Sequence, residues 1–299
     1  PFHLVLMTEA IIIGLLVMSL DLVMGYAGLV SFGHAAFFGV GAYISAWVLA
    51  WQPISFPLIL FSAFGVNALL GMVVGLIAIQ ARGIYFAMIT LAMSEVIHWT
   101  LYDLRGISGG DSGIVGIIPS PISFPGVFSL DLTRPWAYFY LTVLTVALAF
   151  WLAYRFVHSP FGSVLQGIKE NENRCRFIGY RVKKYKLTAV IFSSGLAGLA
   201  GALYSPLYGF ASPHLMEFHL SGKIILMNLL GGMGTLVGPI VGGVFLTIFE
   251  SIISSYIKEY LIFIGIAFVL LVIFLPHGLY GVLAKGWGKF TFFVPGEKP

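Results

Sequence analysis

Charged residues are scarce in this chain. It holds 16 Lys or Arg and 12 Asp or Glu among 299 residues, so 9% of the chain is charged, whereas soluble domains carry about a quarter. Hydrophobic residues make up 59%, and the mean hydropathy is +0.98. This composition excludes an ordinary soluble domain and indicates an integral membrane protein.

Cysteine is almost absent. The single Cys175 excludes an internal disulfide and any cysteine-rich metal cluster. Its neighbours are strongly basic, which places it in a loop rather than in a membrane span. We interpret it as a spare, reduced thiol in preference to a functional one.

Sequence signatures of enzymes are missing as well. No G-x-x-x-x-G-K-[ST] occurs, so the chain cannot hydrolyse ATP alone, and the seven histidines show no H-E-x-x-H spacing. His214 and His219 share a loop with Glu217, but a metal site is the less favoured interpretation. No convincing Ser-His-Asp set stands in the spans, although such a set need not be visible in a sequence. We expect a chain that is not an enzyme and that holds no metal or cofactor.

Long apolar windows are abundant. A spanning helix needs about 20 mostly apolar residues, and these windows are too long and continuous for barrel strands. The sequence therefore predicts an all-α, polytopic transmembrane helix bundle. Nine candidate spans lie at roughly 10–26, 32–50, 57–79, 84–101, 136–156, 187–207, 223–236, 238–255 and 261–284.

Basic residues cluster in one segment, "KENENRCRFIGYRVKKYK" at 169–186, which has seven basic and two acidic residues. Lys and Arg near span ends stay in the cytoplasm, so this loop is predicted to be cytoplasmic. The connection 102–135 is rich in Pro, Gly and Ser and is predicted to be external. With nine spans, Arg82 and the C-terminus then lie inside and residue 1 lies outside. Since the chain begins with Pro, we also expect a missing upstream helix, which would give ten spans.

Three carboxylates fall within or near predicted spans: Asp21, Glu95 and Glu250. Such groups are costly in a bilayer and are usually either shielded or functional. Shielding by span ends or neighbouring helices is the favoured interpretation. The alternative is a self-sufficient secondary transporter that uses Asp21 or Glu95 for ion coupling.

Glycine recurs within the spans. The spacings Gly71-x-x-x-Gly75 and Gly238-x-x-x-Gly242 favour close helix packing. Two denser runs, 25–43 and 231–243, place glycine and small polar residues at membrane depth, where a broken helix is tolerated only if protein or a watery cavity covers it. Both runs are candidates for discontinuous helices beside a pore, and a tight turn is an equal alternative for the second.

Six segments occur in an order that resembles one transporter family. Together they are similar to permease subunits of high-affinity branched-chain amino acid ABC importers (LivM-type; the hydrophobic amino acid, urea and amide uptake family). The resemblance covers about residues 20–284. The segments are "SFGHAAFFGVGAYISA", "RGIYFAMITLAMSEV", "GGDSGIVGI", "IKENENRCRFIGYRVKKYKLTAVIFSSGLAGLAGALY", "LMNLLGGMGTLVGPIVGG" and "FLPHGLYGVL".

The resemblance implies a role and an assembly. Residues 1–299 would form one permease domain in the cytoplasmic (inner) membrane of a bacterium or archaeon. With an upstream helix, the basic loop falls between spans six and seven of ten, which is the position of the coupling loop in the type II class of ABC importer, and we hypothesise that fold. The implied partners are a second related permease, two cytoplasmic ATPase subunits that bind ATP and Mg, an external substrate-binding protein and the lipid bilayer. Nucleic acid is not an expected partner. The implied cargo is a branched-chain or related hydrophobic amino acid, although relatives carry urea, amides or aromatic acids.

The basic loop would then be the coupling loop, 157–186. Ser159-Pro160 is a good helix start and Gly179 a good stop, and Val164, Ile168, Cys175 and Ile178 recur near helical period. In this family the segment around 162–179 docks on the ATPase, while a loop that merely anchors to anionic lipid is the alternative. The E-A-A-x-x-x-G signature of importers is altered here, because Asn173-Arg174-Cys175 replace the acid and both alanines before Gly179. The predicted coupling residues are Val164, Ile168, Lys169, Glu170, Glu172, Arg174, Arg176 and Gly179.

For the translocation path, the sequence offers only a set of candidate residues. An apolar path with a few small polar groups suits a zwitterion with a hydrocarbon side chain. Packing is the alternative role for each residue. The candidates, all in the second and fourth spans, are Ser31, His34, Tyr43, Thr90 and Ser94.

Overall fold

The structure is a computed structural model, and it describes residues 2–51, 55–119, 122–124, 128–256, 265 and 278–281. A π-helical turn, Leu22–Tyr26, continues the first helix. The α-helices are α1 Phe2–Asp21, α2 His34–Trp51, α3 Phe56–Ala78, α4 Ile84–Asp103, α5 Arg105–Ser108, α6 Pro135–Val157, α7 Pro160–Glu170, α8 Glu172–Phe177, α9 Val182–Tyr208, α10 Phe218–Gly231 and α11 Val237–Tyr256.

Seven of these helices are long and apolar enough to cross a membrane: α1, α2, α3, α4, α6, α9 and α11. The polytopic helical prediction is confirmed for the described residues, but the count of nine spans is not. The predicted span 223–236 corresponds to α10, whose 14 residues extend about 21 Å, less than the roughly 30 Å of a hydrocarbon core. The predicted span 261–284 lies almost wholly outside the described residues.

The helices form an inner group and an outer group. In α1, α2 and α9, 61–67% of the apolar window is buried, whereas in α3, α4, α6 and α11 only 33–39% is buried. The outer helices therefore present large exposed apolar side chains, among them Phe61, Leu69, Met88 and Leu144. In a membrane protein such side chains meet lipid or a partner subunit.

Helix α3 packs against α9 through glycine. A Cβ on Gly71 would lie 1.8 Å from Ser194 Oγ, and one on Gly75 would lie 2.9 Å from Leu187 Cδ1. Gly238 and Gly242 lie similarly against α10, because a Cβ there would meet the carbonyl oxygens of Gly231 and Met227. The prediction that both glycine spacings serve helix packing agrees with these contacts.

Short strands lie at one end of the bundle. Strand β1 (Ile114–Val115) pairs antiparallel with β4 (Phe210–Ala211), and β2 (Ile122–Phe124) pairs with β3 (Phe128–Leu130). His98 Nδ1 lies 3.1 Å from the carbonyl oxygen of Pro213 at the same end. The connection 102–135 is thus tied to the segment 209–217, and this end is called the loop end below.

Candidate translocation path and coupling segment

The segment 27–33 interrupts the chain between the π-turn and α2, as the glycine-rich run 25–43 predicts. Phe32 N–H donates to Thr90 Oγ1 at 3.2 Å, and Ala35 N–H donates to Ser221 Oγ at 3.3 Å. Ser221 Oγ donates in turn to the Phe32 carbonyl at 2.6 Å. Side chains from α4 and α10 therefore satisfy backbone groups that a broken helix leaves unpaired, as the bilayer requires.

His34, the first residue of α2, borders this interruption and is 2% exposed. Its Nε2 is 2.7 Å from Ser193 Oγ, and its Nδ1 is 3.1 Å from Ser31 Oγ. Ser193 Oγ donates its one proton to the Ser19 carbonyl, so it accepts from His34 Nε2–H. A neutral imidazole protonated on Nε2, with Nδ1 accepting from Ser31, satisfies this network.

The predicted path residues do not form one site. Ser31, His34 and Thr90 converge on the interruption, whereas Tyr43 donates to the Ser108 carbonyl at 3.3 Å and anchors the loop end. Ser94 is buried on α4, and its hydroxyl has no hydrogen-bond partner among the described residues. Their role in transport stays a prediction.

Ser193 and Ser221 were not predicted as site residues. Both are small polar groups inside apolar helices, and the sequence offers no way to distinguish them from the many other serines in spans. Their importance follows from position, because each bonds the backbone or side chain of the same interruption.

A second interruption separates α10 from α11 at residues 232–236, within the predicted run 231–243. Asp21 Oδ1 accepts from Gly234 N–H at 2.8 Å, and Asp21 Oδ2 accepts from Leu236 N–H at 3.3 Å. Gly25 is required here because its Cβ would lie 2.1 Å from Asp21 Oδ1 and 2.6 Å from Gly234 N. Asp21 therefore links the second interruption to the π-turn that leads into the first.

The other two carboxylates differ from Asp21 in their surroundings. Glu250 of α11 pairs with Lys223 of α10. Glu95 is half-buried on α4 and forms no ion pair with the described residues. Asp21 and Glu250 thus have structural partners, which agrees with the favoured interpretation that these carboxylates are shielded.

The basic loop contains two helices rather than one. Ser159 Oγ caps α7 by accepting from Gly162 N–H at 3.4 Å, and Asn171 Oδ1 caps α8 by accepting from Arg174 N–H at 2.9 Å. The continuous helix that the sequence predicts from Ser159 to Gly179 is wrong because Asn171, at φ −155° and ψ 96°, leaves the helical region. Gly179 has φ +101°, which suits the predicted stop.

The buried face of this loop also differs from the prediction. Leu165 and Ile168 are buried, Val164 and Cys175 are partly buried, and Ile178 is 70% exposed. The break at Asn171 changes the helix phase, so the periodicity read across 164–178 holds only within α7. Ile168 is the predicted apolar position that the structure buries.

Lys169, at the end of α7, contacts the first interruption. Its Nζ donates to the Gly25 carbonyl oxygen at 2.6 Å, and its side chain covers Gly28, whose added Cβ would lie 3.0 Å from Lys169 Cγ. The basic loop is therefore bonded directly to the backbone beside Asp21. We call the end of the bundle that carries this contact the basic end.

Glu172, the first residue of α8, forms ion pairs with three basic side chains. Its carboxylate lies 2.7 Å from Arg176 Nη2, 2.8 Å from Lys186 Nζ and 3.6 Å from Arg82 Nε. Partial burial opposes its charge, but the hydrogen bond and charge of Lys186 and the charges of Arg82 and Arg176 outweigh it and hold the pKa of Glu172 below its usual range. This cluster connects α8 with α9 and with the α3–α4 turn.

Comparison with known proteins identifies the family. The family model described as "Branched-chain amino acid transport system / permease component" matches residues 3–275. The high-affinity branched-chain amino acid transport system permease protein LivM of Salmonella typhimurium is 30% identical over 292 residues, covering 90% of this chain and 67% of the relative. LivM of Escherichia coli K12 is 29% identical with the same coverage.

The comparison also found an archaeal relative. The probable branched-chain amino acid transport permease protein LivM of Methanocaldococcus jannaschii is 28% identical over 223 residues, covering 63% of this chain and 62% of that protein. The chain spans about two thirds of the length of these relatives. No solved structure matches it. On the extent of the family match, the chain belongs to the permease components of branched-chain amino acid transport systems.

Proposed function

We propose that this chain is the transmembrane permease subunit of an ATP-binding-cassette importer and forms the translocation path for branched-chain or related hydrophobic amino acids. The family membership supports the transport role and the amino acid cargo. The absence of a phosphate-binding loop from the sequence is in keeping with ATP hydrolysis by partner subunits.

One contact carries the coupling part of this proposal. Lys169 Nζ bonds the Gly25 carbonyl, and Gly25 packs against Asp21, which holds the second interruption. A displacement of the 157–186 loop by an ATPase would therefore act on both interruptions at once. Such a direct mechanical connection suits a subunit that converts motion of a cytoplasmic motor into opening of a path.

The proposed assembly follows the family. The chain would pair with a second related permease, two cytoplasmic ATPase subunits and an external substrate-binding protein, in the type II arrangement. It would lie in the cytoplasmic membrane with the basic end and the C-terminus inside, because eight of its sixteen basic residues fall in 155–186. The loop end would then face the binding protein.

Reconstitution tests this function directly. Proteoliposomes that contain the chain with its partner permease, ATPases and binding protein should accumulate leucine when ATP is supplied on the ATPase side. The control is the same assembly with an ATPase variant that binds ATP but cannot hydrolyse it. Equal leucine uptake with and without hydrolysis would contradict the proposal.

The alternative, a self-sufficient secondary transporter, makes the opposite prediction. The chain alone should then take up substrate when a proton or sodium gradient is imposed. Asp21 disfavours this alternative because its two oxygens already accept from Gly234 and Leu236. Gradient-driven uptake by the isolated chain would nevertheless overturn the importer proposal.

Charge reversal tests the coupling segment. Glu172→Lys places a cation beside Arg82, Arg176 and Lys186 and should expel α8 from its position. We expect ATP hydrolysis by the assembly to continue while leucine uptake falls at least tenfold. Arg155→Glu, an exposed reversal on α6 outside the 157–186 loop, is the control, and unchanged uptake in Glu172→Lys would contradict the docking model.

A further inference from the structure

A cationic cavity lies at the basic end, between the α3–α4 turn and the start of α9. Its volume is about 490 Å³. Six of its eleven lining residues are basic and only Glu172 is acidic. The lining residues are Ile79, Gln80, Arg82, Glu172, Arg176, Tyr180, Arg181, Val182, Lys183, Lys184 and Lys186.

Only three of the six basic residues in this cavity have an acidic partner among the described residues. Glu172 engages Arg82, Arg176 and Lys186. Arg181, Lys183 and Lys184 are exposed and have no acidic partner among the described residues. Since one carboxylate faces six cations, the cavity is a strong attractor for an anion.

The start of α9 strengthens this attraction. No side chain caps the helix at Arg181, and its first turn holds no acidic residue. Lys183 and Lys184 stand there instead, where the helix dipole is already positive and prefers a negative group. An oxyanion held between these lysines would relieve their mutual repulsion.

The surface beside the cavity is apolar. Leu76 and Ile77, near the end of α3, are each 45% exposed, and Ile84 and Tyr85, at the start of α4, are 71% and 67% exposed. These residues flank Arg82 in sequence on both sides. A ligand that reaches from the cavity onto α3 and α4 would therefore need a charged head and a hydrocarbon tail.

We propose that this cavity is a binding site for the phosphodiester headgroup of an anionic phospholipid, whose acyl chains lie along α3 and α4. Lys183, Lys184 and Arg181 bind the phosphate, and Arg82 stands at the boundary between headgroup and acyl chains. A free phosphate ion shares the headgroup chemistry but not the contact with the apolar surface. This proposal goes beyond the proposed function, because its ligand is neither the cargo nor ATP.

Lipid retention on the purified full chain tests the site. The detergent-solubilised protein is titrated with dioleoylphosphatidylglycerol or dioleoylphosphatidylcholine, and native mass spectrometry counts the bound lipids. We expect one tightly retained phosphatidylglycerol and no equivalent phosphatidylcholine. The variant Lys183→Gln/Lys184→Gln should weaken retention about tenfold or more, because each basic residue near an anionic lipid contributes about 1 kcal/mol.

The matched control is Arg134→Gln/Arg155→Gln, which removes two exposed cations outside the cavity and leaves the net charge equal to that of the lysine variant. Equal phosphatidylglycerol retention in both variants would overturn the site. A third arm adds millimolar inorganic phosphate to the wild-type complex. Displacement of the lipid by that phosphate would overturn the lipid assignment in favour of a soluble anion, and persistence of the lipid would support it.

Discussion

Lys169 joins two parts of the molecule that are 144 residues apart in sequence. Its ammonium group is the donor to a backbone carbonyl at the edge of an interrupted helix, where no regular partner exists. Charged hydrogen bonds of this kind are stronger than neutral ones. Lys169 therefore adds a charged hydrogen bond to the apolar packing of Leu165 against Val23, Ala27 and Leu29.

Replacing this lysine should loosen that contact. Lys169→Met keeps the apolar stem but removes the donor, and we expect about 1 kcal/mol less stability, seen as a lower thermal midpoint in detergent. Arg155→Met, which removes an exposed cation from the neighbouring helix, is the control. A midpoint that falls equally in both variants would show that the Gly25 contact contributes nothing.

At the loop end, two neighbouring carboxylates affect the protonation of His214. Its Nδ1 lies 2.5 Å from Glu217 Oε1, and its Nε2 lies 3.3 Å from Asp111 Oδ1. The hydrogen bond with Glu217 and the charges of both carboxylates raise the pKa of His214 above its ordinary value. These ion pairs therefore contribute fully below the unfolded pKa and are lost as the pH rises through the raised folded pKa.

An acid-to-amide change at the loop end tests this assignment. Asp111→Asn removes one of the two charges, so the pKa of His214 should fall part of the way towards its ordinary value. NMR titration of labelled histidine follows the ring directly, with Asp131→Asn as a control that does not face His214. A higher pKa in Asp111→Asn would contradict the arrangement.

At the scale of elements, the contact of α3 with α9 depends on the absence of a side chain at Gly71. The α3 backbone approaches Ser194 so closely that any Cβ at Gly71 must overlap it. Close approach of this kind drives helix association in membranes, where the hydrophobic effect is absent.

Two glycines of the same helix provide the test. Gly71→Ala should force α3 and α9 apart and cost about 1–3 kcal/mol. Gly65→Ala introduces the same methyl group where no atom lies within 4 Å, and it should be neutral or slightly stabilising. Thermal midpoints that fall equally in both variants would argue against the α3–α9 contact as described.

Over the whole molecule, charge and loop structure divide between two ends. Arg82, Lys169 and the Glu172 cluster share one end, and the paired segments 114–115 and 210–211 share the other. This division agrees with the loop charges, which predict opposite sides of the membrane for the loops 155–186 and 102–135.

Accessibility of single cysteines tests that orientation. In a Cys175→Ser background, an impermeant maleimide added to intact spheroplasts should label Ser112→Cys, which is exposed at the loop end, and should not label Glu170→Cys. Permeabilised cells, in which both sites should react, provide the control. Labelling of Glu170→Cys in intact cells would reverse the proposed topology.

Much of this architecture is accessible from sequence because it depends on local composition. The predicted span 84–101 becomes Ile84–Asp103, and 136–156 becomes Pro135–Val157. The prediction failed where one residue breaks a local pattern. Asn171 divides the basic loop into two helices, and Gly232 ends α10 before it reaches spanning length.

The sequence by itself determined the membrane class, most helix positions and the concentration of positive charge in one loop, because hydropathy and charge are properties of short segments. Only the tertiary structure decided which groups meet. The pairs Lys169–Gly25, Asp21–Gly234 and His34–Ser193 are separated by 144, 213 and 159 residues. The first two form because an interrupted helix leaves backbone groups unpaired inside an apolar bundle, and packing brings a distant side chain within hydrogen-bond distance of them. The third forms because packing places two buried polar side chains side by side.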